Sequence, residues 1–296
     1  SGFLSFKRLA IEDKEYYEKF FKLDKRMGCE YSFACNFIWQ DVFDSYFDII
    51  ENCYVAKTIR NGKNIYNLPL GKKEDIINAV NYIMNIEKEN TVFRGIFKEQ
   101  IPFLKENFNN IFDFSCNRDE SDYIYLSDNL INLKGKKYQS KRNLIKRFKD
   151  NPNWHYEAID KNNVNECIDL NLMWSDDKNV SSSQDMRKEI GAANTALAYL
   201  DKLGLVGGLL RYDDNVVAYS IGEKLTDDTF VVHFEKALDI KGCYQTINNE
   251  FVKHNCFDFK YVNREEDTGE EGLRKAKMSY HPEIILDKYE ARIKNA

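Results

Sequence analysis

Long apolar runs are missing from this chain. No stretch of its 296 residues approaches the roughly eighteen consecutive apolar positions that a membrane-spanning helix needs, and the N-terminus lacks a basic-then-apolar signal pattern. A soluble, cytoplasmic protein without a transmembrane segment is the expectation. An excess of positive charge is missing too: 43 Lys and Arg stand against 48 Asp and Glu, a net charge of −5. That balance excludes a protein that coats nucleic acid through bulk charge, so any such contact needs a local patch. Histidine is scarce, and the four present (His155, His233, His254, His281) have no zinc-motif spacing. The seven cysteines are odd in number and form no C-x-x-C pair, which predicts reduced thiols; with the sparse histidines, no metal site is expected.

What is present is ordinary globular composition, 43% apolar and 31% charged, in a chain long enough for two domains. Hydrophobic periodicity reads twice in the same order: strand, two helices, three strands, helix, strand, helix, then closing strand. In the first half the strands fall near 3–7, 45–51, 53–60, 64–68, 91–95, 111–117 and 122–127. The second half repeats the order from a strand at Trp154–Ile159 to a last strand around Glu283–Tyr289, with an antiparallel meander at 205–235. The expected division is therefore an N-terminal domain at 1–130, a basic linker helix at 131–150 and a C-terminal domain at 151–296. The class is α+β, a mixed α/β tandem duplication, each sheet splayed between its fourth and fifth strands.

This order resembles the GCN5-related N-acetyltransferase fold, and its duplication resembles the Fem-type transferases. Three segments carry a closer likeness: CEYSFACNFIW at 29–39, LKGKKYQSKRNLIKRF at 133–148 and VNREEDTGEEGLRKAKMSYHP at 262–282. Together they resemble the soluble family related to the C-terminal domain of phosphatidylglycerol lysyltransferase. The resemblance implies an acyltransferase that moves an aminoacyl group from aminoacyl-tRNA to an amine or hydroxyl, a lipid head group in the characterised relatives. It leaves two alternatives: a coenzyme-A-dependent N-acetyltransferase, or a silent anion-binding module. A direct acyl transfer would require no cofactor beyond its donor, aminoacyl-tRNA or an acyl-CoA.

The residues themselves offer candidates. In the acetyltransferase fold the loop after the fourth strand cradles a pyrophosphate. Here that loop is Asp239-Ile240-Lys241-Gly242-Cys243-Tyr244, with Lys241 and Gly242 as donor-binding candidates, but its anionic first and bulky last residues oppose acyl-CoA. On the strand at 229–235, His233 and Glu235 share a face as a candidate base pair, against the plainer reading of a half-buried structural pair. After the strand at 257–262, Arg264 is positioned to pair with a phosphate or carboxylate and Asp267 to orient an attacking amine. Thr268 with Glu271 reads as a capping box, and Glu270–Arg274 and Glu271–Lys275 as helix ion pairs. Arg274 and Lys277 are oxyanion or phosphate candidates, and Tyr280 a proton donor. The deepest polar cleft is expected at the splay, lined by His233 or Glu235 with Arg264.

Residues 134–149 hold eight cations and no acid, among them Lys141, Arg142, Lys146 and Arg147. In an acidic chain this predicts a phosphate-binding surface for tRNA or an anionic lipid surface, against the alternative of a solvated linker helix.

Overall fold

The computed structural model describes residues 5–176 and 184–295. Two mixed sheets form its frame. The first contains β1 (Ser45–Ile50), β2 (Cys53–Arg60), β3 (Lys63–Asn67), β4 (Val92–Ile96) and β5 (Phe112–Cys116). The second contains β6 (Asp122–Leu126), β7 (Trp154–Ala158), β8 (Val206–Tyr212), β9 (Asn215–Lys224), β10 (Thr229–Ala237), β11 (Tyr261–Asn263) and β12 (Ile284–Leu286), while β13 (Tyr289–Ile293) returns to the first. Two-residue turns make the meanders: both central residues have positive φ at Glu51-Asn52, Asn61-Gly62 and Asp213-Asp214, the twist that matches a hairpin.

Each sheet runs antiparallel, switches once to a parallel pair, and finishes antiparallel. The parallel pairs are β3 with β4 and β10 with β11. Both are short. The β10–β11 register ends at Val231 opposite Asn263, whereas β10 continues to Ala237, so the strands part there and leave a notch at their C-terminal ends. The tandem duplication is therefore present as expected, with a parallel pair at the centre of each sheet and the splay seen between β10 and β11.

Sheet membership cuts across the expected boundary at residue 130. Strand β6 from the first half inserts between β11 and β12 of the second sheet, and β13 from the end of the chain inserts between β4 and β5 of the first. The single closing strand expected at Glu283–Tyr289 is accordingly two strands in two sheets, joined at Asp287 and Lys288. The two crossing connections grip each other: Ser121 Oγ donates to Asp287 at 2.7 Å, and Lys288 Nζ meets Asp122 at 2.9 Å. At the N-terminal end, Lys7 forms an isolated bridge to Phe47 where a strand near 3–7 was expected.

One apolar core joins both halves. Helix Phe33–Phe43 lies on helix Gln184–Ala198, where Ala192, Ala193 and Ala196 let the backbones approach. Phe37 meets Tyr199 edge-on at 5.1 Å, and Trp39 stacks on Phe234 at 5.7 Å. A second cluster under the first sheet runs from Val80 and Ile83 through Phe93 to Ala291. Each half thus borrows apolar surface from the other.

Candidate functional site

The notch beyond the β10–β11 pairing is filled by an ion pair. Glu235, near the end of β10, and Arg264, the first residue after β11, meet at 3.0 Å with side chains only 8% and 6% exposed. Here the structure brings two of the sequence candidates together. Tyr125 and Tyr280 flank the guanidinium, which sits 5.3 and 5.0 Å from their ring centroids, and Tyr280 is buried. Burial opposes the charge on Arg264, but the Glu235 carboxylate outweighs it and holds the guanidinium protonated. Asn248, on helix Cys243–Asn255, donates to Glu235 at 3.3 Å. Tyr244, one turn earlier, bonds the Glu235 carbonyl.

Four polar atoms of this group are buried without a partner among the described residues: Arg264 Nε and Nη1, the Tyr280 hydroxyl and Asn248 Oδ1. An unmade hydrogen bond on a buried group costs about 1–3 kcal/mol, more for a charged one, so such a concentration marks a place that a polar ligand completes. The set is of mixed sense, with guanidinium donors, an amide acceptor and a hydroxyl of either kind.

His233 and Glu235 take different partners. The β9–β10 register shifts between Val232 and Phe234, and His233 is the extra residue. Its ring lies between Glu223 at 2.6 Å and Glu265 at 2.7 Å and is wholly buried. Burial works against a charged imidazole, yet the two carboxylates outweigh it and raise its pKa well above the ordinary value. A ring held protonated does not serve as a base at neutral pH.

Asp267 and Arg274 form a separate knot. Asp267 accepts from Tyr123, from Arg274 Nε at 2.7 Å and from the Gly269 amide at 2.8 Å. Burial would raise its carboxyl, but these bonds bring it down to about 2. Arg274 also reaches Asp119 at 2.7 Å, so the expected Glu270–Arg274 pair gives way to this contact between halves. Nor does the capping box form: Glu270 itself caps helix Glu271–Met278 through the Gly272 and Leu273 amides, and Thr268 bonds the Asp267 carbonyl. Lys277 is spent on the backbone, donating to the carbonyls of Arg264 and Glu266 at 2.7 and 2.6 Å. Burial and the neighbouring Arg264 lower its pKa to about 8. It fixes the loop that carries Arg264. Sequence reasoning assigned nothing to Glu266 on that loop, whose carboxyl burial pushes up to about 7. No pattern in sequence signals a shift made by tertiary burial.

The basic helix Gln139–Lys149 divides in two. Lys141 and Arg142 are structural: Lys141 donates to Ser279 Oγ at 2.6 Å and lies 4.4 Å over the Tyr280 ring, while Arg142 holds the carbonyls of Leu133 and Gly135 at 2.6 Å. Lys146 and Arg147 are exposed. A cavity of about 500 Å³ lies here, lined by Arg142, Lys146, Lys149, Asn249 and Lys253 among others. At the splay, where the polar cleft was expected, the Glu235–Arg264 pair and its tyrosines line the notch.

Gly242 has a different role from the one its loop suggested. With φ at +80°, a Cβ there would meet the Leu144 carbonyl oxygen at 1.9 Å, so the glycine exists to let the basic helix press onto the loop. Helix 139–149 therefore covers the surface that a pyrophosphate would need. Lys241 beside it is exposed. Gly242→Ala should cost about 1–3 kcal/mol in denaturant unfolding, from overpacking against backbone; a neutral result would mean that the helix is not seated there.

Among the described residues, one group with metal-ligand character spans both halves: the ligand atoms of Cys29, Cys35 and Glu265 lie within 4.8 Å of one another.

A sequence profile described as phosphatidylglycerol lysyltransferase, C-terminal, matches residues 21–292. An uncharacterised Mycoplasmoides gallisepticum protein is 24% identical over 181 residues, 58% of this chain, and the match spans just over half, 56%, of that relative's length. A protein of unknown function from Bacteroides thetaiotaomicron VPI-5482 is 35% identical with a TM-score of 0.90, over 99% of this chain and 100% of that one. L-PGS from Bacillus licheniformis has the same fold at 14% identity, with a TM-score of 0.66 over 96% of this chain and 93% of its own. FemX shares the fold at 8% identity, with a TM-score of 0.61 over 99% and 98%.

Proposed function

We propose a function from one premise: the chain belongs to the phosphatidylglycerol lysyltransferase C-terminal family. Family and fold relate it to acyltransferases. Within that class we read an enzyme that moves an aminoacyl group from aminoacyl-tRNA to an amine or hydroxyl acceptor. The observation that carries this reading is the set of four buried, unpartnered polar atoms around Arg264. An aminoacyl ester supplies what they lack: carbonyl oxygen for the guanidinium donors, and an α-ammonium for Asn248 Oδ1.

In this reading the acceptor oxygen or nitrogen attacks the ester carbonyl and passes its proton to Glu235. Arg264 stabilises the oxyanion as it forms. The carbon–oxygen bond to the tRNA ribose then breaks, and the departing hydroxyl takes the proton back from Glu235. Tyr280 closes the site over the reacting group and Lys277 holds the Arg264 loop. No cofactor enters the scheme. The acceptor is a small amine or hydroxyl compound or a lipid head group reached from an anionic membrane surface.

The tRNA phosphates are assigned to the groove that Lys146 and Lys253 line and to exposed Arg147 on the same helix as Lys146; these three have no partner among the described residues and are free to release counterions. Replacing these three by Ala should leave folding intact and weaken binding of charged tRNA in a filter assay. It should also flatten log affinity against log salt by about 0.7–0.9 for each phosphate no longer neutralised. Binding unchanged in the triple variant would remove this assignment. Coenzyme A serves as the comparison ligand, and preferential binding of it would favour the acetyltransferase alternative over the covered loop at Gly242.

A further inference from the structure

The spacing of Cys29 and Cys35 gave no metal motif, but folding sets a third donor beside them. We propose that Cys29, Cys35 and Glu265 form a site for one thiophilic divalent ion, zinc by its ligand set, that clasps the two halves of the molecule.

The dimensions fit. Metal–sulfur bonds near 2.3 Å and metal–oxygen bonds near 2.0–2.2 Å put tetrahedral ligand atoms roughly 3.5–4 Å apart. The three donor atoms here lie within 4.8 Å of one another, close to that spacing. Two soft thiolates with one carboxylate favour zinc over magnesium or calcium, which take oxygen donors alone.

The surrounding hydrogen bonds are arranged as supports for those donors. Cys35 donates its backbone N–H to Ser32 Oγ at 3.0 Å, and Ser32 donates to Glu223 at 2.8 Å. Glu223 and Glu265 hold the two nitrogens of His233 between them. A continuous chain of bonds therefore links the helix that presents Cys35 to the loop that presents Glu265. On the other side, the Cys29 backbone N–H donates to Asp122 at 3.0 Å. Outer partners of this kind fix ligand orientation in metal sites.

One cation, Lys288, stands beside the donors. Its Nζ stands 3.6 Å from Cys29 Sγ and is held by Asp122 and Glu30 at 2.9 and 2.7 Å. The two cysteines come from the first half and Glu265 from the second. A bound ion would tie the segment before helix Phe33–Phe43 to the loop that carries Arg264.

The test is a cobalt(II) titration of the full chain under a non-thiol reductant, read at the thiolate-to-cobalt charge-transfer band, with bound zinc counted in the protein as purified. One equivalent per chain is expected, with a band that is lost in Cys35→Ser and displaced by zinc. Cys116→Ser, which removes an exposed thiol that is not one of the three donors, should retain it. Zinc should also raise the melting temperature of the wild type and not of Cys35→Ser. Absence of the charge-transfer band in the wild type overturns the proposal, as does a band that survives in Cys35→Ser or a disulfide between the two thiols that forms in place of metal uptake. Should Cys35→Ser fail to fold, the wild-type titration decides alone. None of these readouts depends on aminoacyl transfer.

Discussion

Arg264→Met should cost about 3–5 kcal/mol of stability, and adding Glu235→Leu in the same chain should recover most of it. Removing one partner of a buried ion pair strands the other charge without solvent, whereas removing both leaves an apolar contact. The pair is 8% and 6% exposed, Glu235 meets no second cation among the described residues, and Asn248 reaches it only at 3.3 Å. Because two of the guanidinium's nitrogens are already unpartnered, the wild-type pair is itself an imperfectly compensated arrangement, and the double variant has little left to lose. Denaturant unfolding of the wild type, both single variants and the double variant closes the cycle. A cost under about 1 kcal/mol for Arg264→Met would show that the notch is open to water. Under the proposed function the double variant would be stable and inactive, separating the role of this pair in the fold from its role in the site.

His233→Gln is expected to lose about 3 kcal/mol near neutral pH, since it removes a wholly buried cation from between two carboxylates that are each only 15% exposed. The loss should depend on pH with a definite sign. The folded pKa of the ring is raised above the ordinary value near 6.5, so its charge contributes fully below about pH 6.5, and that contribution is lost as pH rises through the folded value. The difference in stability between wild type and His233→Gln should therefore shrink above pH 6.5, by at most about 1.4 kcal/mol per pH unit. Glu266 and Lys277 are present in both proteins and do not bond the ring, whereas Glu265 does: burial raises its carboxyl and His233 lowers it, so the variant's Glu265 takes up a proton more readily and opposes this trend. The trend is therefore read against the Glu265→Gln, His233→Gln double variant as well, and a difference from wild type that still grows with pH in the double variant would mean that the ring is neutral in the folded state.

Much of this molecule is written locally. The meander at 206–237 follows from alternating apolar residues broken by Asp213-Asp214 and Thr226-Asp227-Asp228, and helix Cys243–Asn255 from its own period. Element order needs only such short-range signals, so the duplication and its acyltransferase-like class could be read without coordinates. Arg264 was also legible, because a cation directly after a parallel strand lies where splayed sheets hold ligands.

Pairings distant in sequence were not legible. Nothing at 122–126 or 289–293 distinguishes a strand that stays in its own half from one that crosses, because the choice is made by a partner more than 130 residues away. His233 read as a base because alternation placed it beside Glu235; a bulge and two distant carboxylates made it a clamped cation instead. Cys29 and Cys35 lacked a motif because the third donor, Glu265, belongs to the other half. By itself the sequence determined which elements form, their order and the chemical types available, since backbone propensity and hydrophobic period act over a few residues. Only the tertiary structure decided which charges are buried together, because burial and pairing depend on what the rest of the chain brings to the same place.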